Sequence, residues 1–358
     1  MLELHDPRNA FASIETYLRA HGFFEADGDD SLEADVYLGY GLSANLWRAT
    51  RQGPEEPCPL PLLACSLRSR AEASQSESPF GIGSWTTSWR IHDYINAIQG
   101  AKTAIAAGDV YQVSLVQHLS APFEGDPRSF ATSLAGLNHA QSKRARTLIG
   151  NDWAIISASP ELFLARRGNQ VWTMPIKGTR SLESSHRLDG SSKERAEHMM
   201  IVDLERNDLA RVCEAGSVRW PELMVERPMA GVSHMVSRVE GMLRPDVGFA
   251  ELLEATFPGG SVTGAPKISA IDHIAALEPV GRGASMGALG TVKQNGDFDL
   301  SLTIRTFAIA EGLAHLWVGG GIVADSEPSA EVEESWIKAR PLLAAIDASR
   351  ARLGGVAA

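Results

Sequence analysis

The sequence predicts an α+β fold built on antiparallel sheet. Two observations carry this prediction. Helix-like and strand-like periods follow one another in mixed order, and short polar turns join neighbouring strand segments as hairpins, against a doubly wound parallel arrangement.

Taken in order, residues 1 to 68 mix short apolar runs with turn-formers (Gly39, Gly41, Pro54, Pro57, Pro59, Pro61). Residues 70–84 are rich in Ser, Glu and Gly and read as a mobile connection, dividing residues 1–84 from residues 85–358. A helix is predicted over 92–107, with Ile95, Ile98, Ala101 and Ile105 at helical spacing and Gly108-Asp109 as its stop. Residues 110–119 alternate as a strand with one polar face (Gln112, Ser114). A strand pair is predicted at 153–165 and 170–174, turning at Arg167-Gly168-Asn169. A long helix over 193–213 follows Ser191-Ser192 as cap. Residues 285–309 read as two strands joined at Asn295-Gly296-Asp297, residues 314–323 as another, and 330–350 as a final helix. No repeat of 20 to 50 residues is present.

A chain of 358 residues, 44% hydrophobic and 22% charged, can bury a large core as two domains or one large α+β unit. A net charge of −11 argues against general nucleic-acid binding, which needs clustered Lys and Arg. An anionic substrate would need local cations. Cys58, Cys65 and Cys213 are too few and too irregularly spaced for a disulfide framework or a Cys-rich zinc site, which fits a reducing cytoplasm. No basic-then-apolar leader and no membrane-length apolar run occur, so a soluble cytoplasmic protein is expected.

Lys177 lies in Met174-Pro-Ile-Lys-Gly-Thr-Arg180, sixteen positions after Glu161 of a Ser-Pro-Glu step. A neutral lysine can act as nucleophile or base, and a nearby carboxylic acid can protonate a leaving group. Two predicted helices each carry carboxylates three apart, Glu194 with Glu197 and Glu331 with Glu334. Residues at i and i+3 share a helix face, and such oxygens suit Mg²⁺ better than zinc. Acids early in a helix also simply complement its dipole. A di-iron site would want Glu-x-x-His, but His198 stands four residues after Glu194.

Gly178-Thr179, Gly319-Gly-Gly321 and Gly259-Gly-Ser-Val-Thr-Gly-Ala-Pro-Lys267 can bring backbone amides close to a carboxylate or phosphate. The last is not a P-loop, since Ala265 follows Gly264, and no Gly-x-Gly-x-x-Gly occurs. Arg305, in a strand-like stretch, can bind a carboxylate bidentately; Lys338, four residues after Glu334, can equally be a helix ion pair. No Gly-x-Cys-x-Gly elbow exists, so none of the cysteines reads as a glutaminase or hydrolase nucleophile, and Cys213 reads as a buried small hydrophobe.

In order along residues 91–346, these pieces resemble the chorismate-utilising enzymes. The matching text is Gly108-Asp-Val-Tyr-Gln-Val-Ser-Leu115, Ser157-Ala-Ser-Pro-Glu-Leu-Phe163, Pro175-Ile-Lys-Gly-Thr-Arg180, the run from Lys193 to Asp208, His234-Met-Val-Ser, Gly259 to Lys267, Ile304-Arg305-Thr306 and Gly319 to Asp325. The resemblance implies a large two-layer antiparallel β-sheet core flanked by helices, with residues 85–358 as the chorismate-binding catalytic domain and 1–84 as a shortened N-terminal subdomain and linker. Lysine before Gly-Thr is similar to the aminodeoxychorismate synthase branch, where anthranilate synthases have alanine, and Gln112 stands where isochorismate and salicylate synthases carry a lysine base.

That resemblance implies Mg²⁺ held by Glu197 and Glu334, with Glu194 and Glu331 in or near its shell. It further implies Lys177 as covalent nucleophile, Glu161 as acid, and substrate contacts from Arg305, Gly320, Gly321, Lys338, Thr263, His234, Gly178, Thr179 and Gln112. Chorismate and ammonia from a separate glutaminase subunit would give 4-amino-4-deoxychorismate; an anthranilate-forming lyase and a non-catalytic paralogue are the rival readings. Three departures stand out: Ser181 after Arg180, Thr291 in place of an aromatic, and an N-terminal region without a Leu-Leu-Glu-Ser-type segment, so tryptophan binding is not predicted.

Overall fold

In the computed structural model, residues 1–25, 31–46, 53–69, 78–134, 137, 146–181, 192–229 and 232–354 are described. Their strands form two antiparallel sheets, as the sequence predicts. The ten-stranded sheet runs Leu2–Leu4, Leu63–Ser69, Leu32–Leu38, Ala288–Lys293, Phe298–Leu302, Leu162–Arg167, Gln170–Met174, Val232–Met242 and Ile176–Ser181, with Arg219–Met229 also paired to Val232–Met242. The eight-stranded sheet runs Gly264–Ala265, Gln112–Gly125, Leu313–Ile322, Thr306–Ala310, Trp153–Ser157 and Arg146–Ile149, and Phe80–Ile82 and Thr86–Thr87 also pair with Gln112–Gly125.

The described strands within residues 1–84 belong to these same sheets. Leu32–Leu38 pairs with Ala288–Lys293 (Leu38 opposite Ala288), and Phe80–Ile82 pairs with Gly125 to Phe123. Of the connection expected over 70–84, residues 70–77 lie outside the described residues.

Three expectations are corrected. Residues 153–165 are two strands in different sheets, Trp153–Ser157 and Leu162–Arg167. Residues 285–309 are three strands, because after the predicted hairpin Ala288–Lys293/Phe298–Leu302 the chain enters the other sheet as Thr306–Ala310. The polar face of the strand beginning at Gln112 does not meet solvent, since Gln112 and Ser114 are buried. Periodicity misleads here because Trp153–Ser157 and Thr306–Ala310 are buried on both faces. Ile155, Ala308, Ala310 and Trp317 join the core shared with the ten-stranded sheet. Ala154, Ile156, Phe307, Ile309, Leu316 and Val318 pack with Phe130 and with Ala339, Leu342 and Ile346 of the last helix.

The two chain crossings lie side by side. The Ala158 N–H donates to the Arg305 carbonyl (3.1 Å), and the Leu302 N–H to the Glu161 carbonyl (3.0 Å). Arg305 has φ +50°, in the left-handed region, where the chain leaves one sheet for the other.

The helix Ile91–Ala107 ends at Gly108 with φ +82°, as predicted. Helices Ser192–Ala210 and Pro328–Gly354 carry the two carboxylate pairs; the cap expected at Ser191 lies outside the described residues. Cys213 is buried just past the first of these, and burial pushes its thiol up to about 11. Among the described residues no helix is long and apolar enough to cross a membrane.

A buried ion pair braces the floor of the molecule. Arg282, 2% exposed, donates to both Glu278 carboxylate oxygens (2.7 and 2.8 Å), to the Val262 carbonyl (2.9 Å) and to the Ser114 carbonyl (2.7 Å). Glu278 in turn accepts the Val116 N–H (3.0 Å). Such a pair holds geometry more than it adds net stability. Here it ties the glycine-rich loop after Gly259 to the strand Gln112–Gly125.

Candidate active site

Lys177 sits on the strand Ile176–Ser181, opposite Met235, and the register slips before Thr179 meets His234. The slip falls on Gly178, whose φ of +70° strains any residue with a Cβ. Glycine therefore follows the lysine because a bulge re-aims the side chain before it.

Lys177 is half-buried. Burial pushes its amine below the usual lysine range; Glu161, Glu197 and Glu334 pull the other way, and Lys338 adds to the depression. Glu161, 6% exposed, comes from the first sheet crossing. Its Oε1 accepts the Ser261 hydroxyl (2.8 Å) and the Ile176 N–H (3.3 Å). Burial raises its carboxyl above the usual range, with Ser261, Lys177, Ile176 and Arg305 opposing. Both shifts run in the direction of the forms that a nucleophile and an acid need.

The carboxylate helices converge on the same place. A Cβ on Gly320 would lie 3.3 Å from Lys338 Nζ, 3.4 Å from Glu334 Oε1 and 3.7 Å from Glu331 Oε2. Lys338 makes the helix ion pair the sequence allows, with Glu334 (2.7 Å), and its ammonium also donates to the Gly319 carbonyl (2.8 Å). Glu197 reaches the field of Lys177 from the other helix, and Glu194 stands half-buried one turn earlier.

Gln112 is fully buried, and neither its amide oxygen nor its nitrogen has a hydrogen-bond partner. Its Nε2 would lie 2.7 Å from a Cβ on Gly321. A buried amide left unpaired costs about 1–3 kcal/mol per group. Arg305 comes from the second crossing beside Glu161, whose charge opposes the lowering that burial imposes on the guanidinium.

The remaining predicted residues are placed as follows. Thr263 is buried with its hydroxyl donated within its own turn to the Gly259 carbonyl (2.9 Å). His234 is buried opposite Thr179, whose side chain lies outside the description. His198 is buried against Ser237 Oγ (2.6 Å). Thr291 donates to Asp35 Oδ1 (2.8 Å) in the ten-stranded sheet.

Hard oxygen donors on two converging helices fit a hard divalent cation. Among the described residues no three carboxylate, imidazole or thiol groups form a ready metal cage. Magnesium does not require one, because it keeps several waters and takes one or two carboxylates plus ligand oxygens. Ser261 was not singled out from the sequence, although the glycine-rich segment containing it was, and only its 100-residue reach to Glu161 reveals its part. Glu205 was missed altogether, within a helix read only for its early acids.

Two packed antiparallel sheets thus carry an amine and a buried acid within the field of carboxylates from two helices. The chain belongs to the chorismate binding enzyme family, which matches residues 37–344. It is 40% identical over 270 residues to aminodeoxychorismate synthase component 1 of Klebsiella aerogenes, covering 72% of this chain and 59% of that protein. It is 36% identical over 311 residues to anthranilate synthase component 1 of Streptomyces coelicolor, covering 85% and 60%. The chain thus spans about three fifths of the length of these relatives. Among solved structures, anthranilate synthase component I from Streptococcus pneumoniae aligns with a TM-score of 0.79 and 27% identity over 92% of this chain and 85% of that one.

Proposed function

We propose that this chain is component I of an aminodeoxychorismate synthase, converting chorismate and ammonia to 4-amino-4-deoxychorismate and water with the enolpyruvyl group retained. The observation that supports it is Lys177, half-buried within the field of Glu161, with burial lowering its amine and raising the Glu161 carboxyl. Lys177 Nζ attacks ring carbon 2 of chorismate, both ring double bonds shift toward carbon 4, and Glu161 gives its proton to the 4-hydroxyl, which leaves as water. Ammonia then bonds to carbon 4, both ring double bonds shift back, and the bond from carbon 2 to Lys177 breaks with its electron pair returning to the lysine nitrogen. The new ammonium returns a proton to Glu161, so the chain ends as it began.

Arg305, Lys338, Gln112, His234, Thr263, the amides of Gly320 and Gly321, and the backbone at Gly178 and Thr179 bind and orient the substrate. Glu197 and Glu334, with Glu194 and Glu331 in or near the shell, would hold Mg²⁺, which when bound anchors the ring carboxylate and polarises the diene. A separate glutaminase subunit supplies the ammonia in the cytoplasm, consistent with the lack of a cysteine elbow.

The second reading, an anthranilate-forming lyase, draws on the similar identity to anthranilate synthase relatives. Mass-spectrometric product analysis with chorismate, Mg²⁺ and excess ammonium separates the two. Aminodeoxychorismate without pyruvate supports the proposal; anthranilate plus pyruvate overturns it in favour of the lyase.

A further inference from the structure

Behind Glu161 lies a second buried carboxyl residue that the reaction above does not use. Glu205, 8% exposed on the helix Ser192–Ala210, accepts the Thr173 hydroxyl at Oε2 (2.9 Å). It borders a cavity of about 10 Å³ lined in part by Thr173, Asp208, Thr256 and Gly260, the lower limit for one water.

The same two chain segments hold both carboxyl residues. Thr173 bonds Glu205, and three residues on the Ile176 N–H bonds Glu161. A Cβ on Gly260 would lie 3.6 Å from Glu205 Cγ, while Ser261, the next residue, donates to Glu161. The other charges around Glu205 are Asp208 on its own helix and Lys267. Lys267 is committed elsewhere, to Asp208 Oδ2 (2.5 Å) and the Thr256 carbonyl (3.0 Å). Glu205 is therefore an acid without a cation of its own, inside the field of Glu161.

We propose that Glu205 is a positioning residue for the acid step: it and Glu161 form one carboxyl pair that carries a single shared proton at neutral pH. This rests on Glu161 acting as the acid in the reaction proposed above. Burial, then the charge of Glu161, pushes Glu205 up to about 8, with Thr173 opposing. Interacting acids titrate as a pair. Between the pair's two steps one proton stays bound, and a constant fraction of molecules holds it on Glu161. That fraction keeps the acid step running at pH values where an isolated Glu161 would have lost its proton. No other reactant is needed, since the proton only changes its oxygen.

Two substitutions of near-native shape move the system in opposite directions. Glu205→Gln removes the shared state, so the alkaline limb of chorismate turnover, measured at constant free ammonia, moves down by about one pH unit or more. Thr173→Val removes a hydrogen bond that favours ionised Glu205, so the limb moves up. A purely structural role would change the melting temperature and leave both limbs in place, and that result overturns the proposal. Infrared titration of the unliganded full chain gives a readout independent of the reaction. A protonated-carboxyl band that persists at neutral pH and is lost in Glu205→Gln is expected. Its absence, or its survival in Glu205→Gln, overturns the shared proton whatever product the enzyme makes. If the product is anthranilate and the band behaves as expected, the carboxyl pair stands while the amination reading falls.

Discussion

Replacing Gly319 and Gly320 by alanine, one at a time, separates folding from substrate contact on neighbouring residues of one strand. A Cβ on Gly319 would lie 1.9 Å from the Leu115 carbonyl oxygen and 2.7 Å from Val116 Cα, both backbone atoms of the paired strand. Ordinary contact is well above 3 Å, so one strand must shift by more than an ångström in the middle of the eight-stranded sheet. Overpacking of this kind costs about 3 kcal/mol. For a chain of this length that lowers the melting temperature by about 4 °C. The three atoms nearest a Cβ on Gly320 are the ends of Lys338, Glu334 and Glu331, at 3.3 to 3.7 Å, and these can give way. Gly320→Ala should therefore melt within about 1 °C of wild type. Its methyl projects toward the proposed chorismate subsite, so the KM for chorismate should rise about 10-fold or more. Thermal melts and steady-state kinetics of both variants decide the matter. A Gly319→Ala protein that melts like wild type would refute the pairing of Gly319 with Val116; a Gly320→Ala protein with an unchanged KM would remove Gly320 from the substrate site.

Further outcomes follow from the same geometry. Lys177→Ala should lose the amination reaction while melting no lower than wild type, since it removes an amine from surroundings that disfavour its charge; undiminished aminodeoxychorismate formation would show that Lys177 is not the nucleophile. Chelation should abolish turnover, with recovery on adding Mg²⁺ and a raised Mg²⁺ requirement in Glu197→Gln; turnover indifferent to chelator would sink the carboxylate assignment. The folded carboxyl of Glu205 titrates near 8, above the ordinary value of 4.5, so it weakens the fold as pH rises from about 4.5 and reaches its full penalty above about 8. Glu205→Gln should accordingly raise the melting temperature more at pH 8 than at pH 5, and an equal change at both would mean that Glu205 is not held protonated.

The fold class and the candidate site residues were legible in the sequence, but not where the chain changes sheets. Lys177, Glu161 and the paired helix acids stand in local motifs, and local spacing is what a sequence displays. The sheet switch at 158–161 was not legible, because Trp153–Ser157 and Leu162–Arg167 are both apolar enough to read as one strand. The same holds at Arg305, where the predicted second strand of the 285–309 pair is divided between sheets. Gln112 stood out as one residue of a polar strand face and as a candidate substrate contact, but its burial and its unpaired amide depend on the covering of that strand on both sides. Glu205 and Ser261 gain meaning from contacts with Thr173 and Glu161, 32 and 100 residues away in the chain.

The two crossings beside each other have a mechanical consequence. Glu161 and Arg305 ride on the only described peptide runs that step directly from one sheet into the other between paired strands, and these runs are hydrogen-bonded together. If one sheet slides on the other, acid and guanidinium travel as a unit. Gly320 belongs wholly to one layer and Lys177 wholly to the other. Sliding would thus alter the reach from acid to substrate cradle without separating Glu161 from Arg305. A cavity-forming substitution deep between the layers, at Ile155 or Leu300, would then slow turnover while leaving every side chain of the site in place, and a screen for activity would score it as an active-site lesion.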